Sequence, residues 1–116
     1  MRRVVYPDLY TELDDKRNQL DVCIRKLRST DREFAEAERA YKMELARVCM
    51  QLKSEGMAIG LIDKVCYGIQ SVADLRFKRD LAETVYKANL EAINSIKLQC
   101  RLIEEQIKRE WGADAS

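Results

Sequence analysis

The sequence has no histidine, and it has only one proline and four glycines among its 116 residues. Without histidine, the most common general base of enzymes and a frequent metal ligand are missing. No G-x-x-x-x-G-K-[ST] phosphate loop occurs, and no Glu-x-x-His pattern of a di-metal helical bundle. We therefore expect a protein that is not an enzyme and that has no cofactor, no metal site and no small-molecule substrate.

Long apolar runs are missing as well. No stretch approaches the ~20 apolar residues of a membrane span, and the first residues lack the apolar segment of a signal peptide. The four cysteines, Cys23, Cys49, Cys66 and Cys100, are widely spaced and form no C-x-x-C pair. They are expected to be free thiols that pack as small apolar side chains. These features predict a cytoplasmic protein without membrane contact.

What the sequence does contain favours helices. Charged residues make up 35% of the chain at a net charge of +1, a mixture typical of long helices and coiled coils. From Leu13 to Val48 an apolar residue recurs every seven positions, which predicts a heptad seam. A complementary row, four residues further on, is expected to complete the seam with apolar and charged side chains: Tyr10, Arg17, Ile24, Asp31, Glu38, Leu45 and Leu52.

We expect one domain over residues 1–116, made of three helical segments. Pro7 and Asp8 start a helix over 8–55, which is either continuous or kinked at a capping box near Thr30; we favour continuity because the seam keeps its phase. Gly56 suits the left-handed position after a helix. The apolar segment 57–68 predicts a short helix at the turn. A second long helix is expected over 71–111, with Ser71 as its N-cap and Gly112 as its stop.

A nine-residue pattern, A-E-x-x-Y-K-x-x-L, occurs once in each predicted long helix, around Tyr41 and Tyr86. Either it is ordinary helix sequence, or it marks a symmetric hairpin whose two tyrosines share one layer; we favour the second interpretation. The predicted fold is all-α, a long antiparallel, coiled-coil-like helical hairpin with a short helix at the turn. Surplus apolar residues beside the seam predict self-association into a helical bundle, and therefore a homo-oligomer.

Basic residues are expected to gather near the open end of the hairpin, where Arg17 is one of them, and near its turn, and this pattern has two interpretations. The first is a set of helices with intrahelical ion pairs on solvated faces, which we favour. The second is a surface that binds single-stranded nucleic acid or a protein partner. Near the open end of the hairpin, Tyr10 and Trp111 are expected to meet, either as a hydrophobic clasp or as anchors for a partner. The candidate binding residues are Arg25, Lys26, Arg28, Arg76, Lys78, Arg79, Lys97, Arg101, Lys108 and Arg109.

Three segments of the second half, VADLRFKRDLAE (72–83), EAINSIKL (91–98) and QIKREW (106–111), resemble small helical proteins of phages and prophages of Gram-positive bacteria. The layout also resembles that of small phage recombination mediators, as an architectural analogy. The resemblance implies an accessory factor of DNA recombination or replication in the host cytoplasm, which binds single-stranded DNA or a recombination protein. The alternative function is an inhibitor of a host protein such as a defence nuclease.

Overall fold

A computed structural model describes residues 8–115, with side chains as far as residue 112. It contains three α-helices, α1 over Leu9–Ser54, α2 over Ile59–Val65 and α3 over Gln70–Ala115, and a 3₁₀ turn over Cys66–Gly68. Because α1 and α3 pack against each other, the predicted all-α helical hairpin with a short helix at its turn is confirmed. Within the described part of the chain, no helix combines the length and the apolar character that crossing a bilayer requires.

Helix α1 begins at an N-cap that its sequence supplies. The backbone N–H of Tyr10 donates to the side-chain Oδ1 of Asp8 at 3.2 Å, and the N–H of Glu12 donates to the backbone oxygen of Asp8 at 2.9 Å. An N-cap carboxylate satisfies helix N–H groups that have no partner within the helix, and it complements the helix dipole. The expected role of Asp8 is therefore confirmed, whereas Pro7 lies outside the described residues.

Helix α1 ends in a Schellman motif around Gly56. This glycine has φ +90°, its N–H donates to the oxygen of Lys53 at 3.1 Å, and the N–H of Met57 donates to the oxygen of Leu52 at 3.1 Å. Only glycine adopts this left-handed conformation at little cost. Leu52 and Met57 also pack on the same core. The helix end that was predicted from Gly56 alone is therefore stabilised by both backbone hydrogen bonds and side-chain packing.

Three local expectations have different outcomes. Helix α1 passes through Thr30 without a break, so the expected continuity is confirmed. Ser71 is not the N-cap of α3: the helix already begins at Gln70, after an extended Ile69, and the Ser71 hydroxyl donates to Glu44 instead.

The predicted end of α3 at Gly112 is also wrong, because the helix continues to Ala115. A glycine inside a helix costs only about 1 kcal/mol relative to alanine, and alanine follows it here.

The chain divides into two compact units, each of which contains a piece of α1 and a piece of α3. We call Arg28–Lys87 the turn unit, and Met1–Leu27 with Ala88–Ser116 the terminal unit. The turn unit holds α2 and the larger core, in which Val72 and Cys66 are 0% and 1% exposed. Ile62 of α2 completes this core against Tyr41 and Val48 of α1. Helix α2 therefore buries apolar surface of both long helices at the turn.

The terminal unit has a smaller core, and a half-buried amide lies between its two helices. Leu13 of α1 is buried against Cys100 and Ile103 of α3. Asn89 of α3 donates its side-chain N–H to the backbone oxygen of Cys23 on α1 at 3.0 Å. A half-buried amide in an interface costs free energy unless it is hydrogen-bonded. Its bond to Cys23 explains how the interface accommodates it.

The complementary row of the seam differs from the prediction. In the structure, the side chains that join the first row come three positions after it rather than four. Arg17 and Asp31 are exposed, and Ile24 is 44% exposed, whereas Ala37 is buried at 8% exposure. A small side chain such as that of Ala37 lets the helices approach closely. Leu45 and Leu52, near the turn, do pack against the core as expected. The half-buried or buried members of the observed row are Leu9, Lys16, Cys23, Thr30, Ala37 and Glu44.

The expectation that Tyr41 and Tyr86 share a layer was wrong. The Tyr86 ring lies against Phe34, with centroids 5.7 Å apart, and the guanidinium of Arg79 lies 4.6 Å from the centroid of the Tyr41 ring. Phe34 and Tyr41 are seven residues apart, so the two layers are separated by about 10 Å along α1. In the expected register, Arg79 would face the buried Val48. Burying that charge without a partner is costly, and this favours the observed register.

Truncation of the two tyrosines tests this register. We expect Tyr41→Ala to lower the free energy of unfolding by about 3 kcal/mol, because the ring is buried, and the half-buried Tyr86→Ala to lower it less. Because the two tyrosines lie in separate layers, the loss in the double variant should equal the sum of the single losses within about 0.5 kcal/mol. Tyr41 and Arg79 are in contact, so combining Tyr41→Ala with Arg79→Ala should deviate from the sum by about 1 kcal/mol. Urea unfolding of the single and double variants gives these values. Coupling between Tyr41 and Tyr86 without coupling between Tyr41 and Arg79 would contradict the register.

Native-state alkylation tests the packing of the thiols, all four of which are free. Burial raises the pKa of the Cys66 thiol, so both its access to reagent and its thiolate fraction are low. With iodoacetamide at pH 8, the half-buried Cys23 should react at least about tenfold faster than Cys66, because Cys66 reacts only when the core opens. Peptide mass spectrometry after timed quenching measures both rates, and all four thiols should react alike in denaturant. Equal native rates would contradict the described core.

Candidate nucleic-acid interface

One face of α3 in the terminal unit carries a regular row of basic and aromatic side chains. Its members are separated by four, three, four and three positions, and residues at this spacing lie along one side of a helix. All are exposed except Glu104, which is partly exposed. We call this row and its two neighbours on α1 the basic–aromatic face. The row consists of Lys97, Arg101, Glu104, Lys108 and Trp111, and the neighbours are Arg17 and Tyr10.

Two polar contacts join α1 to this row. The guanidinium of Arg17 forms an ion pair with Glu104 at 3.2 Å. The indole N–H of Trp111 donates to the hydroxyl oxygen of Tyr10 at 2.7 Å. Arg17 and Tyr10 are seven residues apart on α1, so both lie on the side of that helix that borders the row. The two contacts therefore fix the α1 edge of the basic–aromatic face.

The charges of this face are only partly compensated. Glu104 is the single acid of the row, and Arg17 pairs with it. Lys97 and Arg101 form no ion pair with another described residue, and Lys108 is 3.8 Å from Glu105 in a pair that is largely exposed. Asp14 and Asp21 lie one turn on either side of Arg17 on α1. The face thus has an excess of positive charge, reduced at its α1 edge.

The aromatic pair is exposed, not covered. Trp111 is 67% exposed and Tyr10 is 55% exposed. The expected meeting of the two side chains is confirmed, but they do not form a buried clasp over the core. An exposed indole beside a lysine is suited to stacking, because a base can lie on the ring while its phosphate contacts the cation. The hydrogen bond to Tyr10 restricts the orientation of the indole.

The remaining terminal-unit candidates lie off this row. Arg109 follows Lys108 directly and therefore lies about 100° around the helix from it; its guanidinium donates to the backbone oxygen of Glu105 at 3.5 Å. Arg25 is exposed on α1 and donates to the backbone oxygen of Asp21 at 3.3 Å. Lys26 is exposed on α1 as well. Of the candidates from the sequence, the structure thus aligns Lys97, Arg101 and Lys108.

Candidates in the turn unit have other surroundings. The guanidinium of Arg76 lies 5.6 Å from the centroid of the Tyr67 ring. Arg79 is engaged twice, with Asp80 at 2.8 Å and with the face of Tyr41, and its hydrogen bond to Asp80 raises its pKa. Because its side chain is only 20% exposed, we assign Arg79 to packing and leave it out of the binding surface. Lys78 and Arg28 are exposed, and Lys78 lines a groove between α1 and α3.

The favoured interpretation of the charged residues, that they form ion pairs within one helix, holds for many charged residues of the turn unit. Arg32 with Glu36 and Lys87 with Glu83 are examples at 3.0 and 2.7 Å. Exposed pairs of this kind contribute about 0.3–0.5 kcal/mol each. The same interpretation does not account for Lys97 and Arg101, which lack such partners among the described residues.

Sequence reasoning found the cations of the row and grouped Arg17 with them near the open end, but it also placed Arg17 in the seam and left it out of the candidate binding residues. The row itself was detectable, because the spacing from Lys97 to Trp111 repeats that of one helix face. The ion pair with Glu104 was not detectable, because it depends on how α1 faces α3. Within the described residues, no group of three or more cysteine, aspartate or glutamate side chains is arranged to hold a metal ion.

Comparison of the chain with protein-family models, with curated proteins and with solved structures finds no match. The resemblance to phage accessory proteins therefore stays a prediction.

Proposed function

We propose that this chain is a non-enzymatic accessory factor of DNA recombination or replication, of the kind that phages encode, and that it acts by binding single-stranded DNA. The observation that carries the proposal is the basic–aromatic face. Three cations and an exposed indole lie in one row on α3, and the one acid of that row is paired with Arg17.

The chemistry of the face fits a single strand better than a duplex. Phosphates of an extended strand attract cations spaced along one line, and unpaired bases offer a π-face to an exposed aromatic ring. Trp111 lies one turn beyond Lys108, so both contacts are available to one strand. A duplex keeps its bases stacked inside and leaves the indole without a partner.

The expected affinity is modest. Net charge over the chain is +1, so long-range attraction is weak, and Asp14 and Asp21 flank the face. Contact with about three phosphates releases about as many counterions, so log K should fall with log salt with a slope of about −2. We expect binding without sequence preference, which is lost at moderate salt.

Charge reversal tests this function directly. The triple variant Lys97→Glu, Arg101→Glu, Lys108→Glu should abolish binding of a fluorescein-labelled oligo(dT), measured by anisotropy at low salt. The matched control is Arg39→Glu, Lys53→Glu, Lys64→Glu, which changes the net charge equally at exposed positions of the turn unit. Trp111 is the only tryptophan, so its emission should be quenched by oligo(dT) in the wild type and the control but not in the triple variant.

Three results would contradict the proposal. The first is that the wild type does not bind oligo(dT) at low salt. The second is that both triple variants lose binding equally. The third is that oligo(dT) binds without changing the emission of Trp111. In the first case, an inhibitor of a host protein becomes the function to test. Circular dichroism of all variants confirms that helical content is retained.

Neutralising the one acid of the row gives a prediction of opposite sign. Glu104→Gln removes a negative charge from the face and releases Arg17, so affinity for oligo(dT) should rise by a factor of about 2 to 5. Glu91→Gln, an exposed position on another face of α3, is the control and should change affinity less. A fall in affinity for Glu104→Gln would mean that the ion pair with Arg17 is needed to position the face.

A further inference from the structure

The turn unit contains a groove between α1 and α3 with a volume of about 430 Å³. Its floor is formed by three alanines, Ala37 and Ala40 on α1 and Ala82 on α3. Small side chains leave room for another helix to approach closely. Its charged lining residues are Glu33, Glu36 and Lys78.

Large apolar side chains beside this groove are exposed. Met43 follows Ala40 by three positions, and Val85 follows Ala82 by three, so both lie next to the groove. Met43 is 61% exposed, and Val85 and Leu81 are each 52% exposed. Large apolar side chains grouped beside a concave surface are typical of a protein interface.

The charges of the groove are arranged to complement a second copy. Phe34 faces Tyr86 and Tyr41 faces Arg79, so Lys78 lies at the height of residue 42 on α1. Glu36 is therefore about 9 Å from Lys78 along the helix axis, on the other side of the alanines. A two-fold axis through the alanines would place Glu36 of each copy opposite Lys78 of the other. The same axis would place Val85, at the height of residue 35, opposite the partner copy's Met43.

We propose that a second copy of this chain packs antiparallel against this groove, with the alanines at a two-fold axis. This goes beyond DNA binding, because it concerns the turn unit and none of the basic–aromatic face. Arg32 holds Glu36 at 3.0 Å, but that pair is 80% and 65% exposed, so sharing the carboxylate with the partner's Lys78 costs little. Lys78 forms no ion pair with another described residue and is available for the contact.

The mass in solution is the first test. Light scattering coupled to size exclusion at micromolar concentration should give twice the chain mass of 13.5 kDa. Ala40→Glu places two carboxylates at the axis and should reduce the mass to that of a monomer. Ala46→Glu, at an exposed position on another side of α1, should leave the dimer intact. A monomeric wild type, or a dimer that Ala40→Glu leaves unchanged, would overturn the proposal.

Reversed charges identify the contact between copies. Lys78→Glu alone and Glu36→Lys alone bring like charges together twice in each dimer, so each variant should be monomeric at concentrations where the wild type is dimeric. Mixed together, the two variants should form a heterodimer, because both contacts then join opposite charges. The double variant should again form a homodimer. Failure of the mixture to associate, with a dimeric wild type, would place the interface elsewhere and overturn this geometry.

Discussion

The register of α3 against α1 in the turn unit is the constraint on which the rest of that unit depends. It is set by burial near the turn, where Val72 and Cys66 are almost completely removed from water and Gly56 fixes the end of α1. Fully burying a side chain such as Val72 contributes about 1.5–3 kcal/mol. In the observed register Val72 lies at the height of Val48. A shift of one heptad would place Arg79 there instead, so the alternative register loses apolar burial and gains a buried charge.

The two units use the same pair of helices differently. In the turn unit the register brings three alanines together and leaves a groove, with Glu36 and Lys78 on either side of it. In the terminal unit the core is smaller, and polar contacts between exposed side chains join α1 to α3. Exposed contacts contribute little stability, so their main effect is to orient Trp111 and the edge of the basic–aromatic face.

The parts of the fold that were predictable from sequence are those that local chemistry decides. Asp8 at a helix start and Gly56 at a helix end are recognisable because capping involves only neighbouring residues. The continuity of α1 through Thr30 was also predictable, because the heptad pattern keeps its phase. Gly112 misled the prediction, because one glycine weakens a helix without ending it.

The parts that were not predictable depend on how the helices face each other. Cys23 and Ile24 each belong to a row of residues that are seven positions apart. Only the side of α1 against which α3 packs decides which of the two rows enters the interface. The two tyrosine motifs looked symmetric, but the length of the turn segment sets the register and separates Tyr41 from Tyr86 by one heptad. For the same reason, Lys97 and Lys108 were identifiable as cations, whereas the ion pair between Arg17 and Glu104 was not.

A nuclear Overhauser spectrum of the aromatic ring protons tests this register most directly. The structure predicts cross-peaks between the rings of Phe34 and Tyr86, whose centroids are 5.7 Å apart, and none between Tyr41 and Tyr86. In the terminal unit, it predicts cross-peaks between the indole of Trp111 and the ring of Tyr10. Cross-peaks between Tyr41 and Tyr86, with none between Phe34 and Tyr86, would contradict the register and remove the basis for the groove.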